Sequence, residues 1–332
     1  VRRYLKSPDV KIETYEKGKY TKTSVALIFI DGIARPDIVK KIREKIDAIN
    51  IDGIPDSSYV AKLLSERKTS LFKQVGSTER PDVLIERMLE GRIGIIVDGS
   101  PFALTLPYLL IEDFQAAEDY YISQYRANLV RALRVIAILF SILLPAVFVS
   151  SQLFHLQIIP LNFLLTIVNG IKEIPFSPSL EMFFVLLIFE LLNETSVRMP
   201  KYVGMALAVV GALVLGETAV NAGIVSTPAI LIMALSGISI YAIPEIVETT
   251  SVLRFVYLLI AGSLGGYGLI SLTAFIVLYL SSADNYGVPY LAPYSPVLLN
   301  DFQDGLYMNN VIGMTNRPVA LGSKNKIRQK LK

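Results

Sequence analysis

Three stretches of this 332-residue chain contain no Lys, Arg, Asp or Glu: Val135 to Ile171, Thr218 to Pro244 and Phe255 to Ala283. Each is longer than the roughly 20 apolar residues needed to cross a bilayer core. A water-soluble globule has no place for three such runs, so a purely soluble enzyme is excluded and an embedded region is expected. Charge is concentrated elsewhere. Residues 1–134 hold 22 of the 32 Lys and Arg and 19 of the 29 Asp and Glu, whereas 135–280 hold four basic residues and seven acids, all of them Glu.

The remaining composition narrows the chemistry. With no Cys, thiolate nucleophiles, disulfides, iron–sulfur clusters and zinc–thiolate sites are out of reach, and one His, His155, rules out a multi-histidine metal site. A net charge of +3 is too mild for nucleic acid, and the basic residues form no aromatic-interleaved platform. Gly91-Arg-Ile-Gly94 precedes a strand instead of joining strand to helix, and neither a phosphate loop nor G-x-S-x-G occurs. No catalytic, cofactor or metal residue is therefore assigned, and the chain is read as a non-enzyme.

Residues 1–134 read as a soluble α/β or α+β domain. Ser24 to Ile30 is an apolar, β-branched run that predicts a buried strand. Pro36 to Ile49 places Ile38, Val39, Ile42 and Ile46 on one helical face. Asp82 to Leu89 repeats that pattern after Pro81; Gly91 stops it, and Ile93 to Val97 predicts a second strand. Ala116 to Arg134 is expected to be a helix continuing into the membrane. The chain opens with Val and lacks a signal-peptide layout, so an N-terminal part is expected to be missing.

Residues 135–280 read as a polytopic helical membrane domain. Candidate spans are Val135 to Phe154, Leu180 to Val197, Val203 to Ala222, Pro228 to Ile246 and Leu253 to Leu280, with a weaker one at Ile158 to Ile171. Residues 281–332 read as a short cytosolic tail ending in the basic Gly322 to Lys332. Basic residues at both flanks put both ends in the cytoplasm and require an even number of crossings. Four full crossings are preferred and six is the alternative.

Two groups of residues in this region stand out. Gly204, Ala208, Ala212 and Gly216 form a small-residue stripe, with Gly262 and Gly266 a shorter one, suited to close helix packing within one protomer or between subunits. Glu190, Glu194 and Arg198 share a helical stripe, and Glu217 lies in a further apolar segment; ionisable groups there face protein, water or one another. A Glu194–Arg198 ion pair is the plain reading, and a polar lining for ions is the other. Pro145 and Pro160 are expected to disturb helices, and His155 to pack at the end of the first span.

The sequence EGRIGIIVDGSPFALTLP at Glu90 to Pro107, with Thr78-Glu-Arg-Pro-Asp82 before it and Glu118-Asp-Tyr-Tyr121 after, resembles the A subunits of GerA-type spore germination receptors. The resemblance continues through Phe189-Glu-Leu-Leu192, Val197-Arg-Met-Pro200, Val210-Gly-Ala-Leu213, Ala242-Ile-Pro244, Leu253-Arg-Phe255 and Tyr286-Gly-Val-Pro-Tyr-Leu-Ala-Pro293. It implies nutrient sensing at the inner membrane of an endospore, with the soluble domain and C-terminus cytoplasmic. It also implies a transporter-like B subunit and a lipoprotein C subunit as partners, and a homo-oligomer around an ion-releasing pore to which Glu190, Glu194 or Glu217 would contribute. A stage V sporulation protein AF-type relative associated with dipicolinate release, a secondary transporter and a membrane-anchored scaffold are the alternatives.

Overall fold

A computed structural model describes residues 1–171, 174–198, 214 and 216–329. They form two compact units: a sheet unit, Val1–Ala132 with Leu278–Lys332, and a helical unit, Leu133–Val277.

The sheet unit is built on β1 (Val10–Lys17), β2 (Thr23–Ile30), β3 (Gly76–Thr78), β4 (Ile93–Val97) and β5 (Ala103–Leu106), ordered β1-β2-β4-β5-β3. Every neighbouring pair is antiparallel, so of the two fold classes expected from sequence the strand pairing selects α+β. The runs read as buried strands are β2 and β4. β1 escaped notice because Lys11, Glu13 and Glu16 interrupt it, as befits an edge strand wet on one face.

Helix α1 (Pro36–Asp47) starts at its proline and buries Ile38, Val39, Ile42 and Ile46, the four residues its spacing singled out. Helix α3 (Pro81–Glu90) ends where Gly91 turns left-handed at φ 116°, a conformation that disfavours any side chain. Between them, α2 (Ser57–Leu64) is capped by Asp56, whose carboxylate accepts from the Ser58 amide at 2.8 Å and the Ser100 hydroxyl at 2.5 Å.

The Ser100 bond above all, then Ser58, holds the Asp56 carboxyl down to about 2. Its folded value is thus depressed, so the contribution is complete above the unfolded value of about 3.9 and is lost as pH falls towards the folded one. Asp56→Ala should cost about 1 kcal/mol at pH 7 and progressively less below pH 4, measured by chemical unfolding of the full-length protein followed at the two pH values.

Residues 281–332, read from sequence as a short tail, belong to the sheet unit. A short hairpin, β6 (Asp284–Asn285) with β7 (Val288–Pro289), turns through Tyr286 at φ 56° and Gly287 at φ 75°, and buries Tyr286 and Val288 in the core with Leu27, Ile42 and Ile95. The Tyr286 hydroxyl donates to the Leu64 carbonyl at 2.6 Å, and Asn285 Nδ2 donates to the Gln74 carbonyl at 2.5 Å. Further on, Ser323 donates to the Glu90 carbonyl at 2.9 Å. The basic count hid this, because the aromatic and aliphatic residues of 286–293 supply the burial. Ala116 to Arg134 also differs from a single helix: a 3₁₀ turn, Ala117–Tyr120, precedes the helix that begins at Gln124.

The helical unit contains α4 (Gln124–Phe154, from residue 133 on), α5 (Leu161–Ile171), α6 (Pro178–Arg198), α7 (Thr227–Ile240) and α8 (Val247–Ser281, up to residue 277). Pro145 is accommodated within an unbroken α4. Among the described residues, two helices are long and apolar enough to cross a membrane, Gln124–Phe154 and Pro244–Ser281.

The second of these is not one straight rod. Gly265 breaks α8 at φ 60°, ψ −145°, and the Tyr257 hydroxyl meets Thr273 Oγ1 at 2.9 Å. Sixteen residues apart on a straight helix, these groups would be about 24 Å distant. Leu253 to Leu280, read as one span, is therefore a hairpin of two antiparallel arms.

Side-chain contacts give each helix a direction. Call base the end at which α4 enters the unit and tip the end at Gly265. α4 runs to the tip beside the first arm of α8: Arg254 Nη2 donates to Ser141 Oγ at 3.2 Å, and Phe154 and His155 press on Gly265 and Gly266. α6 runs the other way, with Ser179 against Gly262 and Ser251 Oγ donating to Glu190 at 3.2 Å. α7 is parallel to α6: the Ser226 amide donates to Glu181 at 2.6 Å near the tip and Tyr241 to Asn193 at 3.1 Å near the base. α5 stays at the tip, where Gly170 packs on Ser226 and Pro228.

Candidate functional site

Among the described residues of the helical unit, Arg254 is the centre of a buried polar cluster that contains both a cation and an acid. The first arm of α8 directs this side chain inward, so that it is wholly buried while its neighbour Phe255 packs edge-on to Phe183 at 5.7 Å. Around it stand Glu190 from α6, Ser141 from α4 and the Phe189 ring, whose centroid lies 5.4 Å from the guanidinium. Ser236 of α7 donates to the Ser141 carbonyl at 2.8 Å, so four helices converge here.

The pairing is loose. Arg254 Nη1 lies 3.8 Å from Glu190 Oε1, and neither atom, nor Arg254 Nε, makes a hydrogen bond. A guanidinium keeps its charge in any protein environment, so Glu190 supplies the compensating charge that lets it sit in this bundle. The charge pair links α6 to the hairpin arm, and hydrogen bonds through Ser141 add α4 and α7 to the cluster.

Of the residues singled out in the sequence, Glu190 faces Arg254 inside the bundle. Glu194 and Arg198 form the exposed ion pair read from their spacing, at 2.6 Å. Glu217 is exposed within a helical stretch, 216–221, and is not brought to the cluster. Gly262 and Gly266 make close contacts within the chain, with Ser179 and with His155; a Cβ on Gly262 would come within 2.6 Å of Ser179 Oγ. Gly216 lines an apolar cavity of about 290 Å³ with Ile188, Phe189, Ala219 and Met233. Gly204, Ala208 and Ala212 lie outside the described residues.

Arg254 was missed, although Leu253-Arg-Phe255 is a conspicuous cation in an apolar run. The available signal is the need of a buried cation for an acid on a neighbouring segment.

A second buried network lies in the sheet unit, around Arg92. It is buried and pairs with Glu112 at 2.9 Å and, very closely, with Glu90; Arg87 pairs with the same two acids at 3.4 and 3.7 Å. Burial pushes the Glu90 carboxyl up, but Arg92 and Arg87 outweigh it and hold the group below its ordinary value. Arg131, at the start of α4, is likewise fully buried, pairing with Asp119 at 3.0 Å and Asp304 at 2.8 Å. No group of three or more potential metal ligands gathers among the described residues.

The sequence profile described as Bacillus/Clostridium GerA spore germination protein matches residues 1–320. This chain belongs to the GerA family. It is 37% identical to spore germination protein KA of Bacillus subtilis (strain 168), over 99% of this chain and 61% of the relative. It is 35% identical to the uncharacterized membrane protein YfkQ of the same strain, over 96% of the chain and 62% of that protein. A solved structure, the N-terminal domain of the A subunit of the Bacillus megaterium spore germinant receptor GerK3, is 45% identical, covering 33% of this chain and 87% of that one with a TM-score of 0.27. The chain thus spans about three fifths of the length of the GerA-family relatives it matches. Of the stretches that carry the resemblance, Glu90-Gly-Arg92 holds two members of the buried ionic network, and Tyr286-Gly-Val-Pro-Tyr290 forms the buried hairpin.

Proposed function

We propose that this chain is the greater part of a germinant-receptor A subunit, embedded in the spore's inner membrane and acting by assembly and gating rather than by catalysis. The observation that carries the membrane part is the fold-back of α8 at Gly265. Among the described residues the legs run α4 to the tip, α6 and α7 to the base, and the two arms of α8 up and back. The last candidate span thus counts twice and α5 does not count, and α4 begins where the second arm of α8 ends, at the base.

Among the described residues of the helical unit, Arg134, Arg198 and Arg254 all lie on the base half, which supports a cytoplasmic base. In this reading the sheet unit and the C-terminal segment are cytoplasmic, and the subunit works as a homo-oligomer with a transporter-like B subunit and a lipoprotein C subunit. Of the acids exposed on the helical unit, which include Glu245 and Glu248, we assign Glu194 and Glu217 to a cation path between copies. Glu190 is committed to Arg254 and is assigned to folding.

The test is cation flux through the full receptor reconstituted with its partner subunits and nutrient. Glu217→Gln and Glu194→Gln should lower flux several-fold in protein that assembles normally. Unchanged flux in both would remove these acids from the path.

A further inference from the structure

We infer that α5 lies in the boundary layer of the bilayer at the tip, with one stripe in water, one against lipid headgroups and upper acyl chains, and one on the protein. The inference rests on the membrane-embedded reading above. Three observations combine to give it. With 11 residues, α5 is about 16 Å long, little more than half the hydrocarbon thickness, so it cannot be a leg. Both of its ends are held at the tip: the chain reaches it from Phe154 and His155 beside Gly265 and Gly266, and leaves it towards Ser179 beside Gly262. Its surface, finally, is divided into three.

At about 100° per residue, Leu161, Leu165 and Val168 fall on one stripe, and Asn162, Thr166 and Asn169 on a second about 100° further round. Both are exposed, the apolar three by 70%, 53% and 45%. The third sector holds Ile167, which is buried in the core with Val225 and Ala229. A helix wholly within hydrocarbon has no use for an outward stripe of two carboxamides and a hydroxyl. A helix in water would leave Leu161, Leu165 and Val168 exposed for nothing. Only at the polar–apolar boundary, at the rim of the bundle, do the three sectors each meet a matching medium: protein inward, lipid outward, water above. Neither stripe carries a charge, so what holds the helix is its apolar stripe and its packing, not attraction to anionic lipid.

This chain has no Cys of its own, which makes the test direct. Single cysteines are introduced at 161, 162, 165, 166, 168 and 169 of the full-length protein, made otherwise cysteine-free, in phosphatidylcholine–phosphatidylglycerol nanodiscs. They are reacted with a charged, membrane-impermeant maleimide. Positions 162, 166 and 169 should react about tenfold faster than 161, 165 and 168, because the thiolate forms only where water reaches it. Fluorophores at the latter three should be quenched more by lipid spin-labelled near the headgroup than by lipid labelled near the chain end.

Equal reactivity at all six, protection of all six, or equal quenching by the two lipids would overturn the placement. Leu259→Cys and Phe275→Cys, on exposed faces midway along the two arms, separate this from the parent reading. Rapid labelling there would overturn the embedded bundle itself, whereas protection there with a flat pattern on α5 would overturn α5 alone.

Discussion

Glu190→Leu should destabilise the helical unit by about 3–5 kcal/mol, and adding Arg254→Met should recover most of the loss. The single variant strands a guanidinium among α4, α6, α7 and the first arm of α8, with only the 3.2 Å bond to Ser141 left to it. The double variant replaces two charges that already lack hydrogen bonds on Arg254 Nε, Arg254 Nη1 and Glu190 Oε1 with side chains that need none. Arg254→Met alone should be milder than Glu190→Leu, because the carboxylate it leaves is partly exposed and keeps the Ser251 hydroxyl as a donor, whereas the guanidinium is wholly buried. Thermal unfolding of the full-length protein in nanodiscs, followed by circular dichroism, gives the order. A double variant no more stable than Glu190→Leu would show that the pair is not the unit of stability. Because two apolar residues can replace such a pair with little loss, germination assays on the double variant measure separately whether the charges serve gating.

How much of this arrangement was legible in the sequence differs between the units for a physical reason. β2, β4, α1 and α3 each declare themselves by a periodicity and a stop signal within about ten residues, and Ile38, Val39, Ile42 and Ile46 occupy the buried face that their spacing requires. β1, β3 and β5 are short or charged on one side, and their identity comes from cross-strand partners as much as 29 residues away, as Gly76 is from Thr105. The ion pair Glu194–Arg198 was legible because it is an i, i+4 contact on one helix; Glu190–Arg254 was not, because its partners lie 64 residues apart. Burial of the C-terminal segment was obscured in the same way: Tyr286 enters a core whose other members begin at Val25. Apolarity identified the membrane-like segments but not their course, since a run of 29 uncharged residues reads alike whether straight or folded in two. The one local cue was the cluster Gly262-Ser-Leu-Gly-Gly266, read as a packing stripe; its fourth residue, Gly265, is the bend.

That bend is where a single methyl group should have its largest effect. Gly265→Ala places a Cβ 2.7 Å from Phe154 Cδ2 and 2.8 Å from Cγ, atoms near the root of a side chain pinned at the end of α4, and forces a non-glycine residue to φ 60°, ψ −145°. Overpacking contributes about 1–3 kcal/mol and the backbone conformation a similar amount, so a total loss of roughly 2–6 kcal/mol is expected. The two contributions can be separated. Phe154→Ala in the same chain removes the collision and leaves the backbone strain, so the double variant should regain only part of the loss, beyond what the Phe154→Ala cavity itself takes away. Full recovery would mean that the backbone at 265 is unstrained, and no recovery that Phe154 does not press on the bend.

The strain has only one escape within the helix, which is to straighten. A straight α8 of 35 residues would be about 52 Å long and would carry Thr273 about 24 Å from Tyr257, which it now meets at 2.9 Å. A cysteine pair at 257 and 273 should therefore cross-link readily with Gly265 in place and far less in Gly265→Ala.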